Sequence, residues 1–312
     1  MKRVQILLVA FVAVCLLAII VIAFLVSKPD PKSYKYPVDA LSDAINKFSF
    51  DFYNAVGDSK RDTNFVYSPL SVASAFGILL LGSRTKTERA IFDAFSFNLS
   101  VAKPTKVRDA FEPLLDSFED VSNYSMFLAN KLILQQYFDV KSSFKREAKQ
   151  KYKCVIDAFD FTRNPQKLIE KVNKWVSEKT KGKIDKLFTE PLSSETKMVI
   201  LNAVYFHAKW LHIFNKSETV KNPFFNKLGE VQQVDFMKIR QHFMLYNHTE
   251  KGFTLLELKY NGNVSFNVIF PNKFENDGLP NVMRNLTIDD VQVAFNRSTK
   301  QEVNLLMPKD LQ

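Results

Sequence analysis

The chain has 312 residues, 46% hydrophobic and 13% aromatic, with only 8 glycines and 12 prolines. That is ample for a large buried core and excludes a disordered, collagen-like or low-complexity chain. Lys and Arg (43) outnumber Asp and Glu (33) for a net charge of +10, and two cysteines in unlike segments, Cys15 and Cys154, exclude a disulfide framework.

From Val4 to Val26 the chain is apolar except for Gln5. As a helix the run would reach about 34 Å at ~1.5 Å per residue, against a bilayer core of roughly 30 Å, so it can span a membrane. Its exit, AFLVSKPD, has no A-x-A pattern and the run exceeds an ordinary signal core, which favours an uncleaved signal anchor over a cleaved signal peptide. Residues 1–27 are therefore read as the hydrophobic leader or anchor, 28–36 as a Pro- and Lys-containing connector, and 37–312 as one body. Lysines flank the run on both sides, so charge does not fix its orientation. Seven N-x-[ST] triplets, at Asn98, Asn123, Asn215, Asn247, Asn263, Asn285 and Asn296, point to a lumenal or extracellular body carrying glycans. Some of them lie in segments apolar enough to suggest burial.

Next, Leu41, Ile45, Phe48, Phe52 and Val56 recur at three- and four-residue steps, predicting an amphipathic helix over 41–56. NFVYSPLSVASAFGILLLGS predicts a short strand, then a helix capped by Ser68 with Pro69 in its first turn. That helix is apolar on most sides and belongs in the core. A surface helix follows over 105–118, then a long strand, YSMFLANKLILQQYF. A basic helix over 141–152 precedes a strand in CVIDAFDF. NPQKLIEKVNKWVSEKTKGKI predicts a helix with Asn164 as cap, Pro165 in the first turn and Gly182 just past its end.

TKMVILNAVYFHAKW is apolar on both faces, so that strand needs a layer on each side. FTLLELKY and VSFNVIF, joined through NGN, read as two strands, followed by a helix over 279–295. In the last residues, QEVNLLMPKDLQ, the alternation is that of a half-buried strand. Its backbone needs a partner that nothing after it supplies. Helices gather early and strands late, which is the α+β class.

Between Lys141 and Lys186 fourteen Lys or Arg face six Asp or Glu. Two amphipathic helices with solvated basic faces account for this, since the lysines alternate with Phe144, Leu168, Val172 and Trp175 at helical spacing. The functional alternative is weak electrostatic binding of a polyanion such as a sulfated polysaccharide; nucleic acid is not expected. No catalytic constellation is found. The histidines, His207, His212, His242 and His248, form no HExxH pair, there is no G-x-S-x-G, and Gly77-Ile-Leu-Leu-Leu-Gly82-Ser83 lacks the lysine of a phosphate loop. Asp289 and Asp290 read as helix-start acids. Neither an enzyme nor a cofactor or metal is expected.

Taken in order, NFVYSPLSVASAFGILLLGS, LANKLIL, VIDAFDF, VNKWVSEKTKGKIDKLF, MVILNAVYFHAKW with Phe214 and Thr219, LLELKYNGNVSFNVIFPN and VNLLMPK resemble the serpin family over residues 37–309. The resemblance implies a fold of three sheets and roughly nine helices, and a partner that is a serine or cysteine protease. It also implies an exposed reactive loop that, once cleaved, inserts into the largest sheet. On that reading Ser68, Ser71 and Asn202 belong to a polar cluster beneath the opening of that sheet, and Trp210 marks where insertion starts. The plainer reading is a cap, a core hydroxyl, a strand amide and a packed indole. The family pattern continues with a hydrophobic residue after Pro-Lys, where this sequence has Asp310. The resemblance stops there, before the reactive loop, so residues 1–312 are expected to hold an incomplete serpin fold without a reactive-site residue. A non-inhibitory binding protein on the same scaffold is the alternative.

Overall fold

The computed structural model describes residues 37–57, 66–97, 104–118, 123–225, 230–273 and 278–309, and the backbone of 5–10. The described elements group into two compact units.

The first unit holds β1 (Gln5–Ala10), the first half of α1 (Pro37–Gly57), α2 (Pro69–Gly82), α3 (Thr85–Ala94), α4 (Pro104–Asp116), β2 (Tyr124–Gln135), α5 (Ser142–Tyr152), β3 (Val155–Phe159), α6 (Pro165–Lys179) and β4 (Thr196–Ala208). Its four strands run in the order β1-β4-β2-β3, with β1 parallel to β4 and β2 parallel to β3. The covering helix α6 buries Leu168, Ile169, Val172, Trp175 and Val176 in one core with Ile133 of β2 and Val199, Leu201 and Ala203 of β4. Those five helical positions fall at three- and four-residue steps, one apolar stripe of the helix, and the lysines between them face water. Past its last turn, Lys181 and Gly182 both take positive φ, and the Gly182 N–H donates to the Ser177 carbonyl at 2.8 Å, ending the helix where Gly182 predicted it.

The central helix α2 is buried on several sides, through Ser71, Ala73, Ser74, Ala75, Gly77, Ile78, Leu80 and Leu81. Around it runs a chain of aromatic rings: Phe48 on Phe95 at 4.2 Å, Phe95 on Phe97 at 5.4 Å, Phe97 on Phe111 at 6.4 Å and Phe111 on Tyr152 at 4.8 Å. Gly77 is what lets Tyr152 in, because a Cβ there would stand 2.5 Å from the ring's Cε1. The glycine of the false phosphate loop is thus a packing residue.

The second unit holds the rest of α1, β5 (Val220–Phe225), β6 (Val231–His248), β7 (Phe253–Lys259), β8 (Ser265–Pro271), α7 (Gly278–Asn285), α8 (Ile288–Arg297) and β9 (Thr299–Pro308). All its ladders are antiparallel, β5-β6-β7-β8, with β9 also on β6. One core gathers Phe50, Phe253, Leu255, Ile269, Val282, Met283, Leu286, Val291 and Ala294; another gathers Phe214, Phe243, Leu256, Leu258 and Phe266. The helix expected over 279–295 is two helices. Thr287 breaks it with a full capping box: its hydroxyl accepts from the Asp290 N–H at 3.2 Å, and the Asp290 carboxylate accepts from the Thr287 N–H at 2.9 Å.

Two expectations are corrected here. The final strand does have a partner, and it precedes rather than follows: β9 pairs with β6 from Thr299↔Leu245 to Pro308↔Phe236. The spanning helix expected over Val4–Val26 is not what its described part forms, since Gln5–Ala10 is a strand on β4; positions 11–26 lie outside the described residues. An unbroken apolar run satisfies a membrane helix and a strand covered on both faces equally well, and periodicity cannot separate them. No helix among the described residues is long and apolar enough to cross a membrane. The short strand predicted before Ser68 falls mostly outside the described residues, and Val66 and Tyr67 are not in a strand.

Replacing Gly77 by Ala should lower stability by about 1–3 kcal/mol, the usual cost of forcing a methyl into a filled core, despite the better helix propensity of Ala. Urea denaturation of the variant beside the wild type measures it, and an unchanged midpoint would refute the packing role of Gly77.

Candidate functional site

Four buried polar residues of the first unit, Ser71, Ser74, Asn130 and Asn202, gather under β2 and β4. Ser68 caps α2, its hydroxyl accepting from the Ser71 N–H at 3.2 Å. One helical turn on lies Ser71, fully buried, and another turn on Ser74, 1% exposed. The Ser74 hydroxyl accepts from the Asn130 amide at 3.2 Å, and the same amide nitrogen donates to the Tyr152 carbonyl at 2.9 Å. The Asn130 oxygen in turn accepts from Asn202 Nδ2 at 2.8 Å. Asn130 and Asn202 are 2% and 1% exposed, so these bonds form away from water, where an unmade one costs most. Two atoms of the cluster, Ser71 Oγ and Asn202 Oδ1, have no hydrogen-bond partner among the described residues.

Of the predicted cluster, then, Ser71 and Asn202 are buried in it and Ser68 stands at its rim as a cap. Asn130 and Ser74, which the sequence reading missed, are its centre. Both carried a signal. Asn130 is an uncharged amide inside the apolar run MFLANKLIL, and Ser74 repeats Ser71 at the three-residue step that keeps one helix face.

Trp210 belongs to the second unit. Its indole stacks on Tyr260 at 4.3 Å with the planes 14° apart, and meets Phe214 and Phe266 edge-on at 6.0 and 5.8 Å. An isolated bridge pairs Trp210 with Tyr260, and the Leu211 N–H donates to the Lys259 carbonyl at 2.9 Å. The tryptophan is held by stacking and by backbone at once.

The triplet asparagines Asn123, Asn215, Asn247, Asn263, Asn285 and Asn296 are all exposed, including those in segments that looked too apolar; Asn98 lies outside the described residues. Turns and element ends place them: Asn215, for instance, opens a 3-10 turn by accepting from the Ser217 N–H at 3.1 Å.

The basic segment forms two helices, α5 and α6, with Arg146, Lys149, Lys167, Lys174 and Lys179 exposed. Part of its charge is tied up in structure. Lys151 reaches Asp109 at 2.6 Å and Lys153 reaches Asp116 at 2.5 Å, both pinning α5 to α4 or its end. Lys171 of α6 reaches Asp157 of β3 at 3.1 Å, and the same carboxylate takes the buried Lys131 of β2 at 2.8 Å. Burial alone would raise the Asp157 carboxyl, but hydrogen bonds and charge from Lys131 and Lys171 outweigh it and hold it below the ordinary carboxylate value. The lone described cysteine, Cys154, is buried, and burial pushes its thiol up to about 12, so it is no nucleophile. The histidines serve packing where they are enclosed: His248 lies against the rings of Tyr246 and Phe253, and His212 meets Phe243 edge-on.

The described site is a helix-covered sheet with a buried serine–asparagine cluster beneath it, in a mixed α and β fold. The model of the serpin family, the serine protease inhibitors, matches residues 43–310, and the chain belongs to that family. The family takes its name from the inhibition of serine proteases. Among curated relatives, Iripin-2 of Ixodes ricinus is 29% identical over 271 residues, covering 86% of this chain and 68% of the relative. Serpin B12 of Homo sapiens is 28% identical over 302 residues, covering 87% and 74%. Among solved structures, emu ovalbumin superposes with a TM-score of 0.81 at 23% identity, covering 86% of this chain and 73% of the ovalbumin chain. That last likeness concerns the fold alone.

Asn130→Ala should destabilise the chain by about 3 kcal/mol or more, because the Ser74 hydroxyl, the Tyr152 carbonyl and the Asn202 amide each lose a buried partner. Asn202→Ala removes one bond and one unpartnered oxygen together and should cost about 1 kcal/mol. Equal losses in denaturant titrations would refute a cluster centred on Asn130. The Asp157 pairing makes a pH prediction. A carboxyl with a lowered folded pKa adds stability that is complete above its unfolded value, near ~3.9, and is lost as pH falls through the lower folded value. Thermal melts between pH 6 and pH 2 should therefore fall less steeply for Asp157→Asn than for the wild type; parallel curves would show that the pairing is not felt.

Proposed function

We propose that this chain is a secretory-route serpin of protease-inhibitor lineage, its body outside the cytosol. Its polar cluster would hold the main sheet closed at β4, and proteases of the serine or cysteine class would be its partners. The observation that carries the reading is the Ser74–Asn130–Asn202 bond chain, which ties the strand at issue to the buried face of α2. In it Ser71 and Asn202 carry the sheet-opening role that the resemblance assigns, Ser68 supports them as the cap, and the stacked Trp210 marks the start of insertion. Six exposed triplet asparagines support a glycosylated, lumenal body, and the apolar Val4–Val26 run supports delivery to that compartment as an anchor or leader. The last family-like segment within residues 1–312 is VNLLMPK in β9, and the resemblance places the reactive loop after it. This stretch on its own is therefore a scaffold without a bait.

A second reading is a non-inhibitory binder of polyanions, favoured by the exposed cations Arg146 and Lys149 of α5 and Lys167, Lys174 and Lys179 of α6. Such binding is electrostatic and disappears as the screening length falls from about 10 Å at 0.1 M to about 3 Å at 1 M salt.

Expression of the 312-residue chain in a eukaryotic secretory host tests the proposal. Endoglycosidase should lower its apparent mass, and incubation with trypsin-, chymotrypsin- and papain-like proteases should give no adduct that survives a denaturing gel. An unshifted mass would overturn the lumenal reading. A stable adduct would show that a bait loop lies within these residues, and retention on heparin at 1 M salt would reveal a shaped polyanion site.

A further inference from the structure

Where β7 parts from β6, the second unit leaves a cavity of about 240 Å³. The β6–β7 ladder runs from His248↔Phe253 to Met244↔Glu257 and stops, while β6 continues along β9 and β7 along β8, so the fork cannot close on itself. The Leu211 N–H, bonded to the Lys259 carbonyl at 2.9 Å, lays Leu211 and His212 across the fork. Leu211, Phe243 and Met244 give the cavity apolar walls, and the His212 ring stands edge-on to Phe243 at 6.0 Å. The rest of the lining is charged. In the ladders Lys300, Met244 and Glu257 stand directly opposite one another on three neighbouring strands, and Lys259 follows Glu257 by two residues, so Glu257, Lys259 and Lys300 share one face. Glu257 is half-buried and both lysines are exposed. Lysine side chains on that face are long enough to approach the carboxylate, yet none of the three forms an ion pair among the described residues. On the same face Arg240 closes on Glu302 at 3.0 Å. Opposite charges thus border an apolar space without neutralising each other.

We propose that this cavity binds a free apolar α-amino acid as its zwitterion, the ammonium at Glu257, the carboxylate at Lys259 and Lys300, and the side chain against Leu211, Phe243 and Met244. Charge complementarity selects the class. A purely anionic ligand would meet the Glu257 carboxylate, and a purely cationic one the two lysines. A neutral hydrocarbon would cover charged groups without pairing them and bear the cost of their desolvation. A zwitterion pairs both signs and leaves its apolar part for the apolar walls. Size narrows the choice further. At ~30 Å³ for each water the 240 Å³ hold about eight waters, below the roughly 300–1,000 Å³ of sites for drug-sized molecules. One amino acid of the size of leucine or phenylalanine suits such a space. His212 and His242, also in the lining, offer ring nitrogens to the ligand's polar end. This goes beyond the proposed inhibitor lineage and does not depend on it.

Calorimetric titration of the full chain with three ligands decides this without any variant. L-Phenylalanine should saturate a single site. Phenylalaninamide, which lacks the carboxylate, and 3-phenylpropionate, which lacks the ammonium, should each bind at least about tenfold more weakly, as expected for a lost charge-assisted bond. No binding up to about 10 mM L-phenylalanine, equal affinities for the three ligands, or tightest binding of 3-phenylpropionate overturns the proposal. Two variants then place the site. Glu257→Gln should weaken L-phenylalanine by about tenfold or more and leave 3-phenylpropionate unchanged or tighter, because only the ammonium loses its partner. Lys259→Gln combined with Lys300→Gln should weaken L-phenylalanine to a similar extent and spare phenylalaninamide. A variant that keeps one ligand has kept its fold. Equal loss of all ligands in a variant whose thermal melt matches the wild type, or no loss in either variant, refutes the assignment to these residues.

Discussion

In the first unit α2, the end of α5 and strands β2 and β4 are registered through one side chain, Asn130. Its amide nitrogen gives both hydrogens away, to the Ser74 hydroxyl of α2 and to the carbonyl of Tyr152 at the end of α5, and its oxygen accepts from Asn202 of β4. Apolar contacts alone would let a helix slide over a sheet by a fraction of a turn, since burial has no direction. A buried amide with its bonds made has one position only, because moving it leaves donors and acceptors stranded where water cannot replace them. The apolar packing of α2 rests on that position. Tyr152, whose ring fills the space that Gly77 leaves, has its carbonyl held by Asn130.

The cluster is not uniformly satisfied, and the asymmetry has a direction. Bonds on the β2 side are complete, whereas Ser71 Oγ and Asn202 Oδ1 have none among the described residues. Networks that are partly satisfied are weaker than apolar packing of the same volume. The β4 side of the cluster is therefore the easier side to rearrange. Charge is distributed on the same logic. Lys131, Lys151, Lys153 and Lys171 are spent on joining β2, β3, α4, α5 and α6, so the basic segment owes part of its composition to structure.

Where one physical requirement dominated a segment, its sequence could be read. The stripe of α6, the cap and proline that start α2, and the two-faced apolar run of β4 each have one stable solution, and the described elements begin and end within a few residues of the expected ones. The helix Thr85–Ala94 was not legible, because Ile91 is its only fully buried residue and it has no capping side chain. Strand β6 was not legible either. Over Val231–His248 only Phe243 and His248 are fully buried; Met237, Ile239, Phe243 and Leu245 do alternate onto one core, but the polar residues around them dilute the pattern, and without β6 the terminal strand looked unpartnered. For the site, Ser71 and Asn202 came from family likeness. Asn130 was visible as a polar interruption of an apolar strand, but such a residue means a buried hydrogen bond without saying to what.

The N-terminal run shows why hydropathy alone could not decide its fate. Spanning a bilayer and filling the place beside β4 ask for the same thing, an unbroken set of apolar side chains, and differ only in where the backbone hydrogen bonds go. A helix in lipid closes its bonds on itself, so any apolar sequence of sufficient length will do. A strand beside β4 needs in addition that its polar residues fall opposite polar ones. Gln5 is the one polar residue in Val4–Val26, and it stands opposite Thr196 at the start of the pairing, where the apolar stretch of β4 has not yet begun. In a bilayer that glutamine would be a tolerated blemish near the end of a span. In the sheet the register shifts between Gln5 and Ile6, passing over Lys197, so the pairing runs in step only from Ile6 opposite Met198 to Ala10 opposite Asn202, where the run is apolar throughout.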